Sequence, residues 1–247
     1  MFTKSGTGRL TLSQSNTFVS ASVINAGTVQ IGNGSTTGTL SVPAITNNGV
    51  LEFNHSDTVT MSAPISGSGA VQQVSAGGVQ LSGSNSYTGP TLVSAGFVFP
   101  RSTTAFGDTS TGTVATNGGQ IYIDQNIDIA PEPLILGGAA LRKGGGGVSA
   151  LGGGITLVAN STFNVDGGAT LNLTNASGVR LRSYYFRTHF DWPSNQTDGI
   201  VLVSSNLIDD GAVFWLNGAD VGRLRMPTGT VSRTTLANAT PPNKGDA

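Results

Sequence analysis

From Met1 to Gly178, apolar side chains come in short alternating runs: Leu10 and Leu12, Val29 and Ile31, Leu51 and Phe53, Ile121 and Ile123, Ile155 and Leu157, Leu171 and Leu173. A period of two is the signature of a strand with one buried face. Between the runs lie clusters of Gly, Asn, Ser and Thr, which supply turns and tolerate positive φ. No stretch keeps apolar residues at i, i+3, i+4 and i+7 for three turns, so helix is excluded. The pattern predicts strand after strand.

An internal repeat then organises these strands. Residues 10–31 match residues 79–100 without a gap, through pairs such as Leu12 with Leu81, Asn16 with Asn85, Phe18 with Tyr87, Ala26 with Ala95 and Gly27 with Gly96. The offset is 69 residues, and division by three predicts coils of about 23, inside the range of solenoid repeats. One coil cannot bury its own apolar face. Stacked coils pair their backbones at about 4.8 Å and share one core. Residues 1–178 would make roughly seven or eight coils, a rod on the order of 35–40 Å long. An antiparallel sandwich with low-complexity turns is the alternative.

Composition narrows the function more than the fold. The 247 residues leave room for one large or two modest domains. Charged residues are 10% of the chain, against about a quarter in an ordinary globular protein. The polar surface therefore comes from Ser, Thr, Asn and Gln. The net charge of −1 offers nucleic acid no electrostatic handle. The chain has no cysteine, which excludes disulfides, thiolate zinc sites and thiol catalysis. No signal-peptide h-region opens the sequence, and no apolar run is long enough for a membrane helix. An export signal, if the protein is secreted, is expected outside this sequence.

The segment Thr3-Lys4-Ser5-Gly6-Thr7-Gly8-Arg9-Leu10-Thr11-Leu12-Ser13, continued by Asn16-Thr17-Phe18 and Val23-Ile24-Asn25-Ala26-Gly27, resembles the autotransporter-associated β-strand repeat. The second copy, Leu81-Ser82-Gly83-Ser84-Asn85-Ser86-Tyr87-Thr88-Gly89, is closer to that pattern. The first departs from it at Gln14 and at Val19-Ser20-Ala21. The resemblance covers most of residues 3–137. It implies an extracellular right-handed parallel β-helix without catalytic residues.

Composition changes near residue 178. Both tryptophans, Trp192 and Trp215, lie beyond it, while most glycines precede it. The expected domains are a β-helix over 1–178 and an incomplete β-sandwich over 179–247. In the second, Tyr185-Phe186-Arg187-Thr188 and Asp209-Asp210-Gly211-Ala212-Val213-Phe214-Trp215-Leu216-Asn217-Gly218 resemble the front half of galactose-binding-like, jelly-roll modules. Asn217-Gly218 between apolar runs signals a type I′ hairpin turn. The later strands of such a module are absent from the sequence, so it is expected to be a fragment or to be completed by another chain.

Candidate chemistry is thin. Asp124 and Asp128, taken on one strand, would stand about 13 Å apart, too far for a glycosidase pair; a solvated outward ladder is expected of them. Asp209 and Asp210 suit hairpin capping better than calcium, which needs several oxygen ligands. His55 and His189 have no zinc or triad spacing and are expected at surface or strand positions. Gly144–Gly147 lacks the phosphate-loop pattern and is expected to be a flexible loop between coils. Asn160 to Thr162 and Asn195 to Thr197 are glycosylation-type triplets that such a composition produces trivially. Tyr184, Tyr185, Trp192 and Trp215 are candidates for sugar stacking or for packing, with at most one of Phe214 and Trp215 in the core. Residues 1–51 hold no acidic residue, which argues against a polysaccharide-degrading site.

No catalytic, cofactor or metal residue is therefore assigned. The expected function is a non-catalytic structural or adhesive segment of a large secreted or cell-surface bacterial protein. The alternative is a carbohydrate-binding module over 179–247. Expected partners are extracellular glycans or other surface proteins, and the expected location is extracellular or on the outer cell surface.

Overall fold

The computed structural model describes residues 1–174, 212–216 and 219–231, and the chain divides into two compact units. The first is an all-β parallel solenoid of about eight turns. Each full coil visits three faces in order. On the second face eight strands stack in parallel, one per coil, from Arg9–Leu12 through Thr28–Ser35, Val50–His55, Ala70–Gln73, Thr91–Val93, Thr113–Thr116 and Leu134–Gly137 to Ile155–Leu157. The third face stacks six, from Thr58–Met61 to Thr162–Val165. The first face starts with four strands, from Thr3–Lys4 to Ile65–Ser66, and strand pairing resumes there with Gly147–Gly152 against Ala169–Thr174.

Alternation does what the pattern predicted. On the third face Val59, Val79, Val98, Ile121 and Leu141 occupy one register column and are all buried. Their neighbours Gln80, Tyr122 and Arg142 point the other way. Ile24, Ile45 and Ile65 close the core from the first face.

Coil length corrects the expectation of about 23. Arg9, Thr28, Val50 and Ala70 are register partners on successive coils. Their spacing makes a coil only about 20 residues long, still within the solenoid range. Three coils carry Leu10 to Val71, and Val79 lies on the next face. The repeat offset is therefore three coils plus one face. A repeat can shift faces in this way because every face asks for the same buried–exposed alternation.

Glycine marks one corner. Gly8, Gly27, Gly49, Gly69 and Gly89 stack where the chain turns onto the second face, and a Cβ at any of the last four would lie 2.3–2.4 Å from the carbonyl oxygen of the glycine below. Those carbonyls accept the next coil's amides, as in Val50 N to Gly27 O at 2.9 Å and Ala70 N to Gly49 O at 2.9 Å. A side chain here would break the ladder that holds one coil to the next.

The second unit is described only as an antiparallel pair, Ala212–Leu216 with Ala219–Leu224, with a register irregularity between Phe214 and Trp215. Leu216 pairs with Ala219, as a two-residue hairpin connection requires. Asn217 and Gly218 themselves lie outside the described residues.

Candidate functional site

The repeat motif has a physical job at its start. Lys4 donates from Nζ to the carbonyls of Ser5 (3.1 Å), Gly6 (2.7 Å) and Ala26 (3.1 Å). Gln73, its counterpart in the second repeat copy, donates from Nε2 to the carbonyls of Ser75 (2.8 Å) and Gly77 (3.0 Å). Lys143, nearly the same interval further along the chain, donates from Nζ to the carbonyls of Gly144 (2.6 Å) and Gly146 (2.9 Å). These three residues end strands on the first, second and third face respectively. Each is a clamp that gathers the carbonyls of its own corner.

Lys143 is completely buried, unlike Lys4. Gly145, Gly146 and Gly147 are in the left-handed region at φ 69°, 66° and 64°, conformations open to glycine. Lys143-Gly144-Gly145-Gly146-Gly147 thus reproduces the Lys4-Ser5-Gly6-Thr7-Gly8 spacing, a third occurrence that comparison of the two longer copies missed. The glycine run forms the bend between two strands, as a loop between coils was expected to. Its carbonyls cradle an ammonium group, and Gly147 already begins a strand. Lys143→Met is expected to cost about 2 kcal/mol, because it leaves buried carbonyls without a donor, whereas Lys4→Met costs under about 0.5 kcal/mol at its more accessible corner. Urea midpoints of the two variants check this.

The outer side of the third face carries a different cluster. Phe97 and Phe99 stack at 5.7 Å between ring centroids, and Tyr122 packs 5.5 Å from Phe99 and 6.5 Å from Phe97. Gly78 makes the seat, since a Cβ there would lie 2.8 Å from the Phe99 ring. Arg101 lies over Phe99 at 5.4 Å and forms a two-pronged ion pair with Asp124. Arg142 lies over Tyr122 at 4.5 Å. Its Nε has no hydrogen-bond partner, and its Nη2 stands 4.0 Å from Asp166 Oδ1, beyond hydrogen-bonding distance. Beside this ladder, at the corner between the second and third faces, runs an open groove of about 460 Å³, lined by Gly118, Gln120, Gly138, Ala139, Ala140, Arg142, Asn160, Thr162 and Asn164.

Other sequence candidates find plainer roles. Asp124 and Asp128 do not share a strand: Gln120–Ile123 ends before them and the chain turns the corner. They form no common ladder: Asp124 pairs with Arg101, while Asp128 is exposed as expected and accepts a hydrogen bond from Ala150 N at 2.8 Å. His55 is on a strand but not on the surface; it is 2% exposed, with Nδ1 3.0 Å from Asp57 Oδ1 and Nε2 against the Gly38 carbonyl. Asn160 and Thr162 line the groove. Trp215 is 57% exposed. Tyr184, Tyr185, His189, Trp192, Asn195 to Thr197, Asp209 and Asp210 lie outside the described residues. Among the described residues no group of three or more His, Asp or Glu gathers that could hold a metal ion, and no helix is long and apolar enough to cross a membrane.

Sequence reasoning also missed two buried polar features. Asn85, 5% exposed, accepts from Ile65 N at 2.9 Å and donates to Ala105 O at 2.7 Å. Glu132, 1% exposed, accepts from Thr113 Oγ1 at 2.7 Å. Nearby, Tyr87 is fully buried with its hydroxyl 2.6 Å from Thr91 Oγ1, and burial pushes its phenol well above the ordinary range. The spacing of Asn16 and Asn85 in the repeat was the available signal for the first. Nothing local marks Glu132.

Two stretches of the chain match the passenger-associated-transport-repeat family. They are residues 2–31 and 73–98, so the second begins at the clamp residue Gln73. The Adhesin BmaC autotransporter of Brucella suis biovar 1 (strain 1330) is 42% identical over 66 residues, which are 27% of this chain and 2% of that protein. The chain thus spans a small part of the length of the curated relative it matches. No solved structure matches the chain.

Proposed function

We propose that this chain is a non-catalytic rod segment of a secreted or cell-surface bacterial protein that holds or forms an adhesive surface outside the cell. The parallel solenoid built on passenger-type repeats carries this reading. A stack of coils reaches outward with a few kinds of residue and offers its faces for contact. The likeness to an autotransporter adhesin supports the same conclusion. The scarcity of carboxylates near one another among the described residues supports the absence of catalysis.

The finer parts of the proposal follow from sequence resemblance. The solenoid winds right-handed, it ends near residue 178, and residues 179–247 form part of a galactose-binding-like sandwich. A carbohydrate-binding role for that second part has the exposure of Trp215 in its favour and nothing else.

The test is adhesion of the purified chain. Beads coated with it should attach to cells or extracellular matrix more than beads coated with an unrelated solenoid, and a panel of polysaccharide hydrolase and lyase assays should show no turnover. Equal attachment by both kinds of bead would overturn the adhesive role. Turnover of any polysaccharide would overturn the non-catalytic one.

A further inference from the structure

The groove at the corner of the second and third faces sets one guanidinium among neutral polar groups. Its side chains are three amides, a threonine hydroxyl and one guanidinium, over a floor of Gly118, Gly138, Ala139 and Ala140, and no carboxylate is among them. A Cβ at Gly118 would meet nothing, and one at Gly138 would only reach the Asn117 nitrogen at 4.0 Å. Both are in the left-handed region, at φ 83° and 67°, which favours glycine and keeps the floor low. Gln120, Ala140 and Thr162 occupy one register column, and Arg142 pairs with Asn164 in the next. Gln120 and Thr162 therefore stand two coils apart, about 9.6 Å, and Arg142 and Asn164 one coil apart, about 4.8 Å.

Arg142 is the group without a settled partner. Tyr122 holds it from behind through a cation–π contact at 4.5 Å, which fixes its direction without using its N–H donors. Arg101, in the neighbouring ladder, is fully engaged by Asp124. Asp166 approaches Arg142 only to 4.0 Å. The Arg142 Nε is buried beyond a ligand's reach, so the exposed part of the planar, oriented guanidinium is what meets the groove, and that suits a carboxylate. The surrounding amides and hydroxyl both donate and accept, which matches sugar hydroxyls. An acidic peptide fits less well, because peptide grooves add pockets for alternate side chains and this floor has none.

We infer that this groove binds an acidic glycan lying along the rod, with a sugar carboxylate on Arg142 and sugar hydroxyls on Gln120, Asn160, Thr162 and Asn164. The inference rests on the adhesive reading above and gives it a site and a ligand class. Asp166 acts as a competitor for Arg142, so its neutralisation strengthens binding.

Calorimetric titration of the full chain with oligogalacturonate tests the site. Binding is expected, about tenfold weaker for Arg142→Gln, about tenfold weaker for the methyl-esterified oligosaccharide, and about threefold tighter for Asp166→Asn. Because Arg142→Gln could disturb the coil, Thr162→Ala and Asn164→Ala at exposed positions should each weaken binding as well, with circular dichroism unchanged. Absence of binding, equal binding of the neutral ester, or equal binding of a polyglutamate peptide would overturn the inference. Bead adhesion that persists undiminished in Arg142→Gln would overturn this site while leaving the adhesive role standing. Loss of that role for the unmodified chain is seen in the bead assay alone.

Discussion

Asn85→Ala is expected to destabilise the solenoid by about 2–4 kcal/mol, the cost of leaving two buried backbone groups without partners. On the first face the ladder of strands is interrupted after Ile65–Ser66, where the chain carries Gly83 to Pro90 around the corner without forming a strand. The Asn85 side chain stands in for the missing backbone. Its carbonyl takes the Ile65 amide from the coil below, and its amide reaches the Ala105 carbonyl in the coil above. Alanine fills the space in part and bonds neither. Asn85→Asp keeps the acceptor, loses the donor and adds a buried charge, so at neutral pH it should be at least as damaging. Acidification should recover part of the loss, since a protonated carboxyl can donate again. Urea unfolding followed by circular dichroism reads both variants. A midpoint for Asn85→Ala equivalent to a change under about 0.5 kcal/mol would show that water or local rearrangement satisfies these groups.

A second large effect is a dependence on pH that runs against ordinary acid denaturation. Desolvation raises Glu132 from the usual carboxyl range to about 7; the hydrogen bond from Thr113 opposes the shift and the charge of Asp108 adds to it. Below the ordinary glutamate pKa of 4.5, the folded and unfolded chains both hold this proton. Between that value and about 7, the unfolded chain releases the proton while the folded one keeps it. The contribution of Glu132 is therefore complete at low pH and is lost as pH rises through neutrality, about 3 kcal/mol in all. Glu132→Gln keeps an acceptor for Thr113 without the charge, so it should be more stable than the parent at pH 8 and closer to it at pH 4.5. Asp108 works in the opposite sense. Ser110 holds its carboxyl below the usual range by hydrogen bonds, so its contribution fades as pH falls. The difference between parent and Glu132→Gln, measured in urea across this range, isolates the glutamate. A difference that does not vary with pH would sink the prediction.

The two effects come from the same part of the solenoid. In this part of the solenoid the core admits Asn85, Tyr87 and Glu132 from outside the strands, and Thr91 and Thr113 from the starts of two second-face strands. Each polar atom then needs a particular neighbour, and substitution is expensive. Elsewhere on the second and third faces the core is mostly aliphatic, and buried exceptions such as Gln73 and Lys143 are held by the carbonyls of their own corners.

Much of this was legible along the chain. Alternation at Val29 and Ile31, or at Ile121 and Ile123, determines strands because a period of two allows only one face to be buried. The repeat of residues 10–31 at 79–100 determines stacking, because similar short units can share a core only side by side. Clusters of Gly, Asn, Ser and Thr marked the turns, and the low charge set the class of surface. These are local or strictly periodic signals, and a linear sequence carries them without loss.

Tertiary structure decided which residues the coils bring together. The register partners on the second face set the coil length, and a small change in that length moves a repeat copy to another face. That is why Lys4, Gln73 and Lys143 sit on three different faces, and why a glycine run that looked like a loose loop closes on a buried ammonium. Arg101 with Asp124, Arg142 with Tyr122, Asn85 with Ile65 and Ala105, and Thr113 with Glu132 are all contacts between one coil and the next. Their partners are separated by roughly one coil's length, and that length varies. The alternation of a strand says which side a residue faces; only the stacked coils say what it finds there.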